Sequence, residues 1–121
     1  MSANMFRATM RASAAVTEAK TEVGDWIDVG DFNELYLWLD VTAFAARADE
    51  TLDVTIERQA DNTAGYVLIE TFSQIASTGA ASAEQSTTSL IGGRIRYRAI
   101  TAGTWSSKSL TYSIKMQAKC A

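Results

Sequence analysis

The sequence predicts an all-β fold: an antiparallel β-sandwich of seven to eight short strands with an extended N-terminal arm. Three observations predict it. Apolar and polar residues alternate with a period of two through most of the chain beyond residue 25, as they do when successive side chains point to opposite faces of a sheet. These runs recur at roughly 8 to 15 residues, the spacing of short strands in sandwiches and barrels. No convincing long helix competes with them.

Composition bounds the rest. The 121 residues are 47% hydrophobic and 21% charged, which suits one globular domain. The expected division is an arm at residues 1–12 and a sandwich at residues 13–121. A net charge of −3 argues against direct nucleic-acid binding, which needs concentrated basic surface. No apolar run approaches the roughly 20 residues of a membrane-spanning helix. MSANMFRATMRASAAV lacks the continuous apolar core of a signal peptide, so the expected compartment is a cytoplasm. Cys120 is the only cysteine and histidine is absent, which excludes an internal disulfide, a Ser-His-Asp triad and most zinc sites. Proline is also absent, so turns must rest on Gly, Asn, Asp and Ser. No phosphate loop, metal-ligand set or acid/base pair stands at an interpretable spacing. The expectation is no enzyme and no cofactor.

In chain order, the arm carries Met5, Phe6 and Met10 without a period. Three bulky apolar residues there suggest docking on a neighbouring subunit, against the plainer reading of a frayed terminus. Residues 12–23 fit either a strand near 14–19 or an alanine-rich helix. Gly24 and Gly30 bracket a short strand containing Trp26, Ile27 and Asp28. Over residues 34–44, Leu35, Leu37, Leu39 and Val41 face one way and Tyr36, Trp38 and Asp40 the other. Apolar or aromatic residues on both faces predict a central strand covered on both sides. Residues 51–59 repeat the alternation, with Leu52, Val54 and Ile56 inward. Asp61 to Gly65 is a turn by composition. Residues 66–75 form the next strand. The Ser/Ala/Thr-rich stretch 77–89 is a loop holding a weak edge strand near 81–87.

The most legible stretch is GGRIRYRAITAGTWSSKSLTYSIKM, residues 92–116. Its two alternating runs predict an antiparallel hairpin, with Tyr97 and Tyr112 inward. Arg94, Arg96 and Arg98 then face outward, paired with carboxylates such as Asp53, Glu57 and Glu70. The core is expected from Leu35, Leu52, Val67 or Leu68, Ile95 and Leu110. Jelly-roll and immunoglobulin-like connectivities fit equally well. Asp25, Asp28, Asp31 and Glu34 read as solvated carboxylates rather than a cation site. Trp105, in the loop AGTWSS, either folds back over the end of the core or anchors a partner. With Met5, Phe6 and Met10 it completes the candidate partner interface.

FNELYLWLDVTAF, ETLDVTIERQADNTAGY, VLIETFSQI, the Ser/Ala/Thr-rich loop and the closing Arg-aromatic pair of runs follow one another from residue 32 onward. This progression resembles the small β-sandwich virion proteins of tailed bacteriophages, of the capsid decoration or cement kind. The resemblance implies a non-enzymatic protein that binds the outer shell of a virion and stabilises junctions between capsomers. It implies homo-oligomers, with the major capsid protein or another virion protein as partner. A head–tail connector or tail component is an alternative within the same resemblance. A carbohydrate-binding module of an adsorption structure is a second.

Overall fold

The computed structural model describes residues 5–30, 32–45, 49–60, 65–76, 81–87, 92–105 and 109–120. Every regular element among them is a β-strand: β1 Met5–Val16, β2 Lys20–Val23, β3 Ile27–Asp28, β4 Glu34–Ala45, β5 Thr51–Gln59, β6 Val67–Thr71, β7 Ala81–Thr87, β8 Arg94–Ala102 and β9 Ser109–Lys119. They form two antiparallel sheets, ordered β1-β9-β4-β7 and β2-β8-β5-β6, with β3 also on β8. β2 and β3 are two pieces of one edge strand, paired with residues 98–101 and 94–95 of β8. They part where the Gly24 N–H donates to the Tyr97 carbonyl at 3.0 Å and a Cβ on Gly24 would strike the Tyr97 ring.

Counting β2 and β3 as one, the first strand pairs with the last, the second with the next to last, and so inward to β5 with β6. That nesting is the jelly roll, and it decides between the two connectivities the sequence left open. Alternation placed the core correctly in four strands. Leu35, Leu37, Leu39 and Val41 of β4 and Leu110, Tyr112, Ile114 and Met116 of β9 are buried. They meet Leu52, Val54 and Ile56 of β5 and Ile95, Tyr97 and Ala99 of β8, buried likewise. Each fully buried aliphatic of this kind contributes about 1.5–3 kcal/mol.

Several expectations are corrected. Residues 92–116 are not a hairpin: β8 and β9 lie in different sheets and face each other across the core. The segment joining them includes Gly103, at φ +105 and so close to the Asp49 carbonyl that a Cβ there would clash. Residues 5–12 do not leave the domain as an arm. They begin β1, which pairs with β9 from Met5↔Lys119 to Val16↔Leu110, because β9 would otherwise expose an unpaired edge. The expected strand at 14–19 instead ends at Val16, where the chain crosses from one sheet to the other. Val67 and Leu68 are 58% and 57% exposed, since the short edge strand β6 carries a register shift opposite Ile56 and Glu57. Tyr36 and Trp38 are only partly covered, because among the described residues no third layer packs on the outer face of β4. The strand near 81–87 is β7, as expected. The turn expected at Asp61–Gly65 lies, up to residue 64, outside the described residues.

Where the sheets part, between β1 and β2, one polar cluster clasps them. Register shifts in β1 flank Arg11, and such irregularities re-aim a side chain. Its Nε meets Glu22 Oε1 at 2.7 Å, its Nη1 donates to the Tyr112 carbonyl at 2.6 Å, and its guanidinium lies 3.8 Å above the Tyr112 ring centre. The Tyr112 hydroxyl donates to Glu22 Oε1 at 3.0 Å. The hydrogen bond from Arg11 is the main reason the Glu22 carboxyl falls from an ordinary 4.5 to about 2, against the opposing effect of burial. A depressed carboxyl stabilises the fold above its unfolded pKa, and that contribution is lost as pH falls through the folded value. Glu22→Gln should therefore be less stable than the parent at neutral pH and lose less stability between pH 4.5 and 2. Urea unfolding across that range checks it, and parallel pH profiles would refute it.

Candidate functional site

The four residues expected to form one interface are not brought together. Met5 and Phe6 are 50% and 37% exposed and lie at the Lys119 end of β1, where Phe6 stacks on Phe32 with ring centres 6.1 Å apart. Met10 packs against the core. Trp105 is at the opposite end of the sandwich and is buried, 8% exposed. Its ring stacks on Phe44 at 5.9 Å and an interplanar angle of 3°, and its Nε1 donates to the Ala102 carbonyl at 3.0 Å. The loop tryptophan closes the end of the core, so it is no exposed anchor.

The acidic cluster dissolves as well. Asp28 Oδ1 accepts from the Gly30 N–H at 2.8 Å, Glu34 pairs with Lys119 at 3.7 Å, and Asp31 lies outside the described residues. Among the described residues, no three His, Cys, Asp or Glu are placed to hold a metal ion. No helix among them is long and apolar enough to cross a membrane.

What the structure assembles instead is the outer face of the β2-β8-β5-β6 sheet. Alternation in β8 turns Ile95, Tyr97 and Ala99 into the core and leaves Arg94, Arg96, Arg98 and Ile100 outside. Register sets Arg96 against Glu57 and Arg94 against Gln59 on β5. Glu57 Oε1 accepts from Arg96 Nε at 2.8 Å, Oε2 accepts from Arg98 Nε at 2.7 Å, and Gln59 Oε1 accepts from Arg94 Nε at 2.6 Å. The expected pairing of the arginines with a carboxylate thus holds, through Glu57. Burial opposes ionisation of Glu57, but the hydrogen bonds from Arg98 and Arg96 outweigh it and hold its carboxyl below the ordinary value.

Aromatic rings fix the same guanidiniums. Arg96 lies 4.2 Å from the Trp26 ring centre and 4.9 Å from that of Tyr66. Arg94 is 5.4 Å from Trp26 and Arg98 is 5.8 Å from Tyr66. Each such contact is worth about 0.5–1 kcal/mol at an exposed site. Around this ladder stand Val23 (43% exposed), Ile100 (41%), Leu68 (57%) and Tyr66 (49%), while Val67, paired with Arg58, turns to the other side of the sheet. Of the large apolar side chains exposed among the described residues, only Met5, Phe6 and Val67 lie elsewhere.

Arginine, tryptophan and tyrosine ringed by aliphatics is the composition of interface centres, where aromatic and arginine side chains are enriched and lysine is depleted. Side chains already held by stacking and by Glu57 lose little freedom on docking. The sequence held half the signal. Val67 and Leu68 are adjacent, so a period of two can bury only one of them, and one of the two was expected in the core.

These observations define a class: a jelly-roll β-sandwich domain with one preorganised, partly apolar sheet face. No family model matches the chain, and no curated protein matches it in sequence. Solved structures do match in fold. A chain from the infectious bursal disease virus Gx strain is 10% identical over 96% of this chain and 32% of its own, at a TM-score of 0.67. The VP2 subviral particle of the same virus is 13% identical over 96% and 32%, at a TM-score of 0.59. The CBM22-2 xylan-binding domain of Paenibacillus barcinonensis Xyn10C is 12% identical over 94% and 99%, at a TM-score of 0.51. The chain spans about a third of the length of the viral chains it matches. At these identities the likeness is one of fold.

Proposed function

We propose that the protein is a non-enzymatic virion structural protein of a tailed bacteriophage, a capsid decoration protein that binds the outside of the assembled shell. The observation that carries this reading is the Arg–aromatic ladder with its apolar rim on the outer face of the β2-β8-β5-β6 sheet. A surface of that composition is built to be covered by protein. The fold supports the reading, since the same sandwich recurs in chains from a virus particle. The partner is the major capsid protein, met at junctions between capsomers by a homo-oligomer of this chain. A ligand that binds only the assembled shell stabilises it by mass action, and no chemistry is required of it.

The test is co-sedimentation of the purified protein with particles that lack it, using a Leu68→Glu/Ile100→Glu variant. Both residues are exposed in the free protein, so the melting temperature should hold within about 2 °C, as for surface substitutions generally. Docking would bury two unpaired carboxylates, which costs several kcal/mol, so attachment should be lost. Undiminished attachment of the variant would remove this face from the interface. Imaging of decorated particles separates the readings: density over the shell supports decoration, and a ring at the neck or tail supports a connector.

A further inference from the structure

We infer that the opposite sheet carries a second site, a groove for a neutral oligosaccharide centred on Trp38. On the outer face of β1-β9-β4-β7, register aligns Thr9, Lys115, Trp38 and Glu84 in one row across the four strands. Arg7, Gln117 and Tyr36 form the next row. Two depressions open here, and Trp38 and Lys115 line both of them. One is walled by Arg7, Thr9 and Gln117, the other by Asp40 and Glu84.

The indole is held in place. Its Nε1 donates to Glu84 Oε1 at 2.9 Å, which fixes the ring, and the ring is only partly covered. Beside it, Arg7 Nε donates to Gln117 Oε1 at 3.0 Å. The walls are balanced in charge, with Arg7 and Lys115 against Asp40 and Glu84. That balance selects the ligand class. A polyanion such as nucleic acid needs excess positive charge, and a protein interface centre needs the aliphatic surface found on the other sheet. A neutral sugar chain needs what stands here. Its apolar C–H edge stacks on an indole, and each hydroxyl donates to a carboxylate or accepts from a guanidinium, an ammonium or an amide.

This inference does not rest on the capsid reading. The two sheet faces point away from each other, so a protein attached by one presents the other to its surroundings.

The experiment is titration calorimetry of the full chain with cellohexaose, xylohexaose, maltohexaose and mannohexaose, each tested with Trp38→Ala and Trp38→Phe. At least one oligosaccharide should bind, with an affinity that changes little with salt. Trp38→Ala should weaken it by about tenfold or more at a temperature where circular dichroism shows the variant folded, the loss of one well-formed stacking contact. Trp38→Phe, which keeps an aromatic face but not the N–H to Glu84, should retain most of the binding. No binding by any of the four at millimolar concentration would overturn the site. So would binding unaffected by Trp38→Ala, or equal losses in the two variants. Binding of any of the four that is abolished by salt would replace it with simple charge attraction.

Discussion

Deletion of residues 1–10 is expected to unfold the domain at temperatures where the full chain is stable. In sequence the segment reads as a docking arm outside the fold, yet from Met5 it is half of a strand. Met5 to Thr9 pair residue by residue with Lys119 to Lys115 of β9. Ala8 and Met10 pack against the core, and Phe6 stacks on Phe32. Removing them strips one side of β9 of its ladder from Lys115 to Lys119 and opens the sandwich beside Met116 and Ala118, both now almost completely buried. The apolar contacts alone are worth on the order of 5 kcal/mol, comparable to the entire stability of many small domains. The new edge would also be a template for pairing between chains. Circular dichroism melting with sedimentation of the truncated protein checks this. A soluble variant melting within a few degrees of the parent would show that β1 is needed only from Arg11 onward.

Trp105→Ala is expected to lower the melting temperature on the order of 10–20 °C, from a loss of about 3–5 kcal/mol. The ring fills the end of the core against Phe44, and its N–H is spent on the Ala102 carbonyl. The loop around it is fixed as well. Asp49 Oδ2 accepts from the Thr104 hydroxyl at 2.9 Å, and the positive φ of Gly103 lets the chain pass the Asp49 carbonyl. Truncation therefore leaves a cavity that the surroundings cannot collapse into easily. Attachment to particles, measured in the cold where the variant is folded, should be unchanged. The reverse pattern, a stable protein that no longer attaches, would restore Trp105 to a partner interface.

How far the sequence could be read differs between strands and pairings. In β4, β5, β8 and β9 the period of two named the buried residues correctly, because burial of one face is what imposes the alternation. β7 was found within a stretch of small residues at its observed bounds. The arginines of β8 were correctly expected to meet a carboxylate, since like charges two residues apart on one face need compensation. The candidate site was less legible. Its ladder needs Trp26, Tyr66, Glu57 and β8, which are distant in sequence, and nothing in the alternation of one strand records what lies across from it.

By itself, then, the sequence determined that the chain is a two-faced β domain and which residues of β4, β5, β8 and β9 line its core. Only the tertiary structure decided the partners. Residues 92–116 show why: an inward Tyr97 and an inward Tyr112 satisfy a hairpin and a pair of facing sheets equally well. Alternation reports which way a side chain points, not which sheet its strand belongs to. The choice between them is made by nested pairing over the whole chain, β1 with β9 and β2 with β8. That same choice turned the arm into an edge strand, the loop tryptophan into a core residue, and the arginine strand into the centre of an exposed Arg–aromatic face.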